Sequence, residues 1–155
     1  MTLYKIALSD RSIDTDLKVP KRIKKINIDI NEEKYKLGCA TIHKKNYLGE
    51  DEFEIYKTKT ERLDNLLLKK KIGFIKIDVE GHEKNVILGS KEVIKKNKPN
   101  LLVEIEERHS KEKVEETINF INGLGYKSYY VEKEILKSTK KLVNYSYKNN
   151  FIFLS

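Results

Sequence analysis

The chemistry of this chain is concentrated in one short segment, Asp78-Val79-Glu80-Gly81-His82-Glu83. The nearly continuous apolar run Phe74-Ile75-Lys76-Ile77-Asp78-Val79 reads as a strand that ends on acidic residues. A glycine then permits a tight turn, and a helical segment begins at His82. Two or three carboxylates and an imidazole therefore crowd one sheet edge. Such a group could bind a hard cation through oxygen, or hold a general base near a substrate hydroxyl. A plainer use competes for His82 and Glu83, because acidic residues in a first helical turn offset the helix dipole. Asp78 and Glu80 stand between the two readings, since an acid that ends an apolar strand is costly to bury without a task. Glu104 interrupts the run Leu101-Leu102-Val103-Glu104-Ile105 and could face Asp78 from a neighbouring strand end. Its alternative is an edge carboxylate paired with a lysine. Glu106 and Glu107 follow just beyond.

Other reactive side chains lack a useful pattern. His43 and His109 stand alone and read as surface residues. There is no HExxH, and the single Cys39 cannot form CxxC, so no zinc spacing exists. Cys39 and His43 are four residues apart on a strand or loop, where nothing makes them converge as nucleophile and base. The one GxG, Gly123-Leu124-Gly125, follows a helix and precedes a strand. It reads as a helix stop, because a phosphate loop needs glycines in the opposite order of elements.

The elements that must position these residues follow from periodicity. Leu3 to Leu8 reads as a strand closing at the turn Ser9-Asp10. Leu17 with Val19, then Ile26, Ile28 and Ile30, and later Phe53 with Ile55 alternate with polar neighbours, the period of strands. Thr60 to Leu67 shifts to helical spacing, with Thr60 as its cap. A helix from His82 to Leu88 is interrupted by Gly89. Ser90 can cap a second helix through Lys96, and Pro99 ends it. Ser110 opens a helix with Val114, Thr117, Ile118 and Ile121 on one face, stopped by Gly123 and Gly125. Tyr126 to Val131 and Asn150 to Leu154 read as the last two strands, which could close as an antiparallel hairpin on one edge. Alternating strands and helices predict an α/β sheet, parallel in its centre, with ligands beyond the carboxyl ends of its strands.

Composition bounds the function. The chain has 155 residues, 32 Lys plus Arg against 24 Asp plus Glu, and a formal charge of +8. This length, without repeats or a linker, suits one domain spanning 1–155. The excess charge is lysine, spread along the chain and interleaved with glutamate. Arg11, Arg22, Arg62 and Arg108 are the only arginines. Arginine reads guanine and forks onto phosphate, so its scarcity argues against specific nucleic-acid recognition. No run of 18 apolar residues suggests a membrane span, and Met1 to Asp10 does not read as a signal peptide. A lone cysteine fits a reducing compartment, so a cytoplasmic location is expected.

Set in this frame, Ile72-Gly73-Phe74-Ile75-Lys76-Ile77-Asp78-Val79-Glu80-Gly81-His82-Glu83 resembles the most distinctive segment of the FkbM-type methyltransferases. Val86-Ile87-Leu88-Gly89-Ser90 and Pro99-Asn100-Leu101-Leu102-Val103-Glu104-Ile105 are similar to the family's next helix end and strand. Ala7-Leu8-Ser9-Asp10, Gly38-Cys39-Ala40-Thr41-Ile42, Leu63-Asp64-Asn65-Leu66-Leu67 and Asn150-Phe151-Ile152-Phe153 fall in the family's order. The resemblance implies a class I, Rossmann-like methyltransferase sheet that binds S-adenosylmethionine. It also implies methyl transfer to a hydroxyl of a sugar or related small molecule. It places Asp78 and Glu80 beside the reacting methyl group as catalytic residues, with Asp78 a base or a metal or substrate anchor. His82, Glu83 and Glu104 would shape the acceptor site. An exposed Asp has a pKa of about 4, so burial or a cation would have to help it act as a base.

The family's first strand, glycine-rich loop and acidic second strand have no counterpart ahead of Ala7. The chain is therefore expected to hold the last four or five strands of the sheet, and no residue inherits the cofactor-loop roles. A fragment, a protein completed by a partner chain and an inactive copy are the explanations this leaves. The alternative function is a non-catalytic interaction domain that associates through an open sheet edge.

Overall fold

The computed structural model describes residues 2–20, 40–42, 53–106, 113–142, 144–145 and 148–155. The described elements form two sheets with helices, a mixed α/β architecture. The first sheet has three strands, β1 (Ala7–Leu8), β2 (Asp14–Pro20) and β3 (Phe53–Glu61), in the order β1-β3-β2. β2 and β3 pair antiparallel along their length, from Asp14 opposite Lys59 to Pro20 opposite Phe53. β1 adds a parallel pair, Ala7 with Thr60 and Leu8 with Glu61. The predicted strand from Leu3 is thus only two residues long. Leu3 and Tyr4 find no partner edge among the described residues and are exposed. The predicted strand around Ile26, Ile28 and Ile30 lies outside the described residues.

Helix α1 (Leu63–Leu67) follows β3 directly. Thr60 does not cap it, contrary to the sequence reading. It sits in β3, where its hydroxyl accepts from Ile13 N at 3.0 Å and donates to Arg11 O at 2.8 Å. The second sheet contains β4 (Phe74–Ile77), β5 (Asn100–Glu104), β6 (Lys127–Glu132), β7 (Ile135–Ser138) and β8 (Asn150–Leu154), in the order β4-β5-β8-β6-β7. β4 and β5 are parallel, joined by the crossover helices α2 (Glu83–Leu88) and α3 (Lys91–Asn97). β8 then inserts antiparallel between β5 and β6.

The parallel character predicted for the centre is therefore confined to the β4–β5 pair in this sheet. The predicted closing hairpin is also corrected. β6 does pair antiparallel with β8, but its hairpin partner is β7 through Lys133-Glu134. Both turn residues have positive φ, 50° and 62°, as a two-residue hairpin turn that follows strand twist demands. Neither is glycine or asparagine, so the sequence carried no turn signal there. β4 is an edge strand among the described residues, and Phe74 at its start is 59 % exposed.

Helix α4 (Val114–Asn122) lies on the second sheet with Val114, Thr117, Ile118 and Ile121 buried, the face its spacing predicts. It packs on a core that includes Ile77, Val86, Leu101, Val103, Phe151 and Phe153. Burying each such side chain contributes roughly 1.5–3 kcal/mol. This core fixes the heights of β4 and β5, and so the place where both strands release their acidic ends. Among the described residues no helix is long and apolar enough to cross a membrane.

Candidate functional site

The β4–β5 register decides which carboxylates meet. Ile77 pairs with Val103, so Asp78, just past β4, lies beside Glu104, the last residue of β5. Asp78 is exposed, and its Oδ2 pairs with Lys76 Nζ at 2.9 Å. Lys76 is pulled to a higher pKa, first by its hydrogen bond to Asp78 and more weakly by the charge of Glu104. Glu104 is half-buried. The sequence reading had Asp78 and Glu104 facing one site, and the register places their backbones together.

The turn after β4 reverses the chain through two left-handed residues, Glu80 at φ 50° and Gly81 at φ 93°. Glycine adopts such a conformation freely, whereas glutamate is held there at a cost of about 1–3 kcal/mol unless its surroundings fix it. Here Thr41 supplies part of that constraint: its hydroxyl donates to Glu80 O at 3.1 Å. Thr41 is itself bridged to Lys18 of β2 through both backbone groups.

Glu83 begins α2 and turns its carboxylate back on this turn. Its Oε1 accepts from Gly81 N at 2.9 Å, and the backbone amides of Val79 and of Glu83 itself also face the carboxylate. It therefore satisfies the first amide of the helix and two amides of the turn before it. Burial raises its pKa above the ordinary glutamate value, against those three hydrogen bonds that lower it. Its carboxylate faces protein backbone.

His82, just before α2, is brought against residues that sequence order did not suggest. Its Nε2 lies 2.9 Å from Ser9 Oγ, and Ser9 Oγ donates to Asp10 Oδ1 at 3.0 Å. Asn85 Nδ2 of α2 also donates to Asp10 Oδ1, at 3.2 Å. The Arg11 guanidinium beside Asp10 holds its carboxyl well below the usual carboxylate range, with Asn85 and Ser9 adding to the effect. Arg62 secures the other side by donating to Asp10 O at 2.8 Å. Three strand ends, those of β1, β3 and β4, thus converge on α2. Sequence reasoning took Ser9-Asp10 for a turn and missed its contact with His82. It also missed Thr41, Asn85 and Arg62. The one local signal was the close spacing of Ser9, Asp10 and Arg11 at a strand end.

Gly89 explains how Ser9 comes so near. A Cβ at this position would lie 1.9 Å from Ser9 O and 2.8 Å from Ser9 C. Its φ of −77° is open to any residue, so the requirement is space rather than backbone freedom. Gly89 O also accepts from Asp64 N at 3.0 Å. Ser90 occupies the capping position of α3, yet its hydroxyl donates to Val86 O at 2.6 Å. The amide of Val93 is instead taken by Asp64 Oδ1 of α1 at 3.0 Å, and Arg62 holds the other Asp64 oxygen at 2.8 Å.

Cys39, His43, Glu107 and His109 lie outside the described residues. Glu106 accepts from Asn149 Nδ2. Among the described residues no group of three His, Cys, Asp or Glu side chains could hold a metal ion.

The sequence profile described as Methyltransferase FkbM domain matches residues 11–128, well over half of the chain. The chain belongs to the FkbM methyltransferase family. The match takes in Asp78, Glu80, His82, Glu83 and Glu104 and begins just after Ser9-Asp10. Among solved structures, the chain is similar to the crystal structure of Methyltransferase FkbM from Methylobacillus flagellatus KT. The TM-score is 0.45 at 17 % identity, covering 64 % of this chain and 24 % of that one. The chain thus spans about a quarter of that relative's length. No curated protein matches it.

Membership in this family implies a methyl donor of the S-adenosylmethionine type. Asp78 and Glu104 suit the cationic end of such a molecule, since carboxylates attract a sulfonium or ammonium group. The fit stops there among the described residues. The glycine-containing strand-to-helix turn spends its amides on Glu83, so it offers no amide cradle for the rest of the donor.

Proposed function

We propose that this FkbM-family chain takes part in S-adenosylmethionine-dependent O-methylation, with a hydroxyl of a sugar or related small molecule as acceptor. The observation that carries this reading is the family match across residues 11–128, which includes the acidic ends of both parallel strands. When bound, the donor supplies an electrophilic methyl group on a sulfonium sulfur. The work left to this chain is to orient the acceptor oxygen and to take up its proton.

In this reading Asp78 receives the acceptor hydroxyl as a hydrogen-bond donor. Lys76 holds its Oδ2, fixing the carboxylate beyond the sheet edge. Glu80 and Glu104 flank it on the adjoining turn and strand. The left-handed turn at Glu80-Gly81 brings His82 back toward the start of α2. Glu83 serves this site by pinning the turn.

The test combines calorimetry of S-adenosylmethionine binding with transfer of labelled methyl to a set of methyl hexopyranosides. Wild-type chain is expected to bind and transfer. Asp78→Ala is expected to lose about 100-fold in rate, the usual contribution of one positioned catalytic group. Its stability should stay within about 0.5 kcal/mol, because an exposed ion pair contributes little. Wild-type transfer rates in Asp78→Ala would overturn the assignment of Asp78, and no binding with no transfer would overturn the activity itself.

A further inference from the structure

Lysine and glutamate look interleaved along the chain, and the fold sorts them between the two ends of the second sheet. At one end β4 starts with Phe74 opposite Asn100, the first residue of β5. β8 closes there with Leu154 opposite Lys127, the first residue of β6. Leu101 pairs with Phe153, so these four strand termini share one level. At the other end β4 and β5 release Asp78 and Glu104. Helix α4, which leads back from that end toward Lys127, opens on Glu115 and Glu116.

The first end carries lysine without acid. Residues 65–77, 93–103, 119–131 and 151–155, which build it, contain no Asp, Glu or Arg. Lys69-Lys70-Lys71 lead into β4, and all three are exposed. Lys96 Nζ donates to Leu68 O at 3.0 Å, and Ile72 N donates to Asn97 Oδ1 at 3.2 Å, so the close of α3 adjoins them. Lys98 Nζ donates to Leu124 O at 3.0 Å and lies 5.7 Å from the centre of the Tyr126 ring, next to Lys127. Among the described residues none of these six lysines forms an ion pair. The one opposing charge is the terminal carboxyl of Ser155, whose hydroxyl donates to Lys98 O at 3.1 Å. Two apolar side chains stand among the lysines: Leu68 is 40 % exposed and Phe74 59 %.

We propose that this lysine end of the sheet docks on the surface of an anionic lipid bilayer, with Leu68 and Phe74 entering the headgroup layer. Each lysine that reaches such a surface raises partitioning about fivefold. Charge or an apolar anchor by itself holds weakly, and the two together hold firmly. Nucleic acid is gripped by arginine forks, and this face has no arginine. The opposite end is acidic and is repelled by the same surface. Docking therefore sets the orientation of the chain and leaves Asp78 and Glu104 facing water. The inference stands apart from the methyltransferase reading and does not depend on it.

The experiment is co-sedimentation of the full chain with phosphatidylcholine vesicles containing about one-third phosphatidylserine, at about 0.1 M salt, against vesicles of phosphatidylcholine only. Binding is expected to the anionic vesicles and should weaken as salt rises. Lys69→Gln, Lys70→Gln and Lys71→Gln combined should weaken it about a hundredfold. Leu68→Ala with Phe74→Ala should weaken it about tenfold and leave the salt dependence in place. A control removes the same charge around the first sheet, by Lys5→Gln, Lys57→Gln and Lys59→Gln, and should cost no more than about threefold. Circular dichroism confirms that each variant folds. No sedimentation with the anionic vesicles at low salt would overturn the proposal. Equal losses in the two triple variants would also overturn it, because the attraction would then belong to the net charge of +8 rather than to this face. Tighter binding to mixed-sequence DNA or RNA than to the vesicles would overturn it in favour of a nucleic-acid partner.

Discussion

Replacing Gly89 by alanine sets two well-known effects against each other, and the structure predicts which wins. Gly89 closes α2 with ordinary helical φ. At such positions Gly→Ala usually stabilises a protein by about 0.4–1 kcal/mol, because the unfolded chain loses freedom. Here the new methyl group would sit 1.9 Å from Ser9 O, and ordinary contact begins near 3.4 Å. The two backbones must separate by about 1.5 Å, and neither is a flexible side-chain tip, so the change acts as overpacking and costs about 1–3 kcal/mol. A shift of that size would break the 2.9 Å contact of Ser9 with His82 and strain the bond from Asp64 N to Gly89 O. The steric cost outweighs the gain in the unfolded chain, so Gly89→Ala should destabilise. For a domain of this size each kcal/mol lowers Tm by about 2–4 °C. Thermal unfolding of both proteins by circular dichroism measures it. An equal or higher Tm in Gly89→Ala would refute the close approach of Ser9 and, with it, the reason His82 meets Ser9.

Two further changes test the supports of the site. Asp64→Ala strips the amide of Val93 of its acceptor and leaves Arg62 without its ion partner. It should cost about 1–2 kcal/mol in urea unfolding, and Asp64→Asn should cost less because an amide oxygen still accepts. Equal losses in the two variants would show that the cap is not the cause. Glu83 gives a pH signature. Burial raises its folded pKa, so above the ordinary glutamate value of 4.5 the folded chain retains a proton that the unfolded chain releases. Its contribution is therefore fully present below that value and is lost as pH rises through the folded pKa. Glu83→Gln should flatten this part of the stability profile, and an unchanged slope would rule Glu83 out as its source.

Much of the second sheet was legible in the residues. The β4 and β5 runs, the helices between them and the buried face of α4 were readable because local periodicity and burial agree there. The acidic strand ends were legible for the same reason. A strand register fixed by an apolar core delivers Asp78 and Glu104 to adjoining places whatever else the chain does. The hairpin at Lys133-Glu134 was not readable, because its left-handed turn uses residues that carry no turn preference.

The sequence by itself determined the chemistry available: carboxylates over a glycine turn, an imidazole beside them and the family to which the segment belongs. Only the tertiary structure decided which groups meet. Ser9 reaches His82 from 73 residues away because Gly89 lacks a side chain at the point of contact. Asp64, rather than the adjacent Ser90, serves α3, because α1 brings a charged acceptor to the amide of Val93 while the Ser90 hydroxyl is spent on Val86 O. Glu83, which looked like a site residue among others, is turned inward by the amides it must satisfy. These pairings depend on distances between elements far apart in the chain, and no local spacing encodes them.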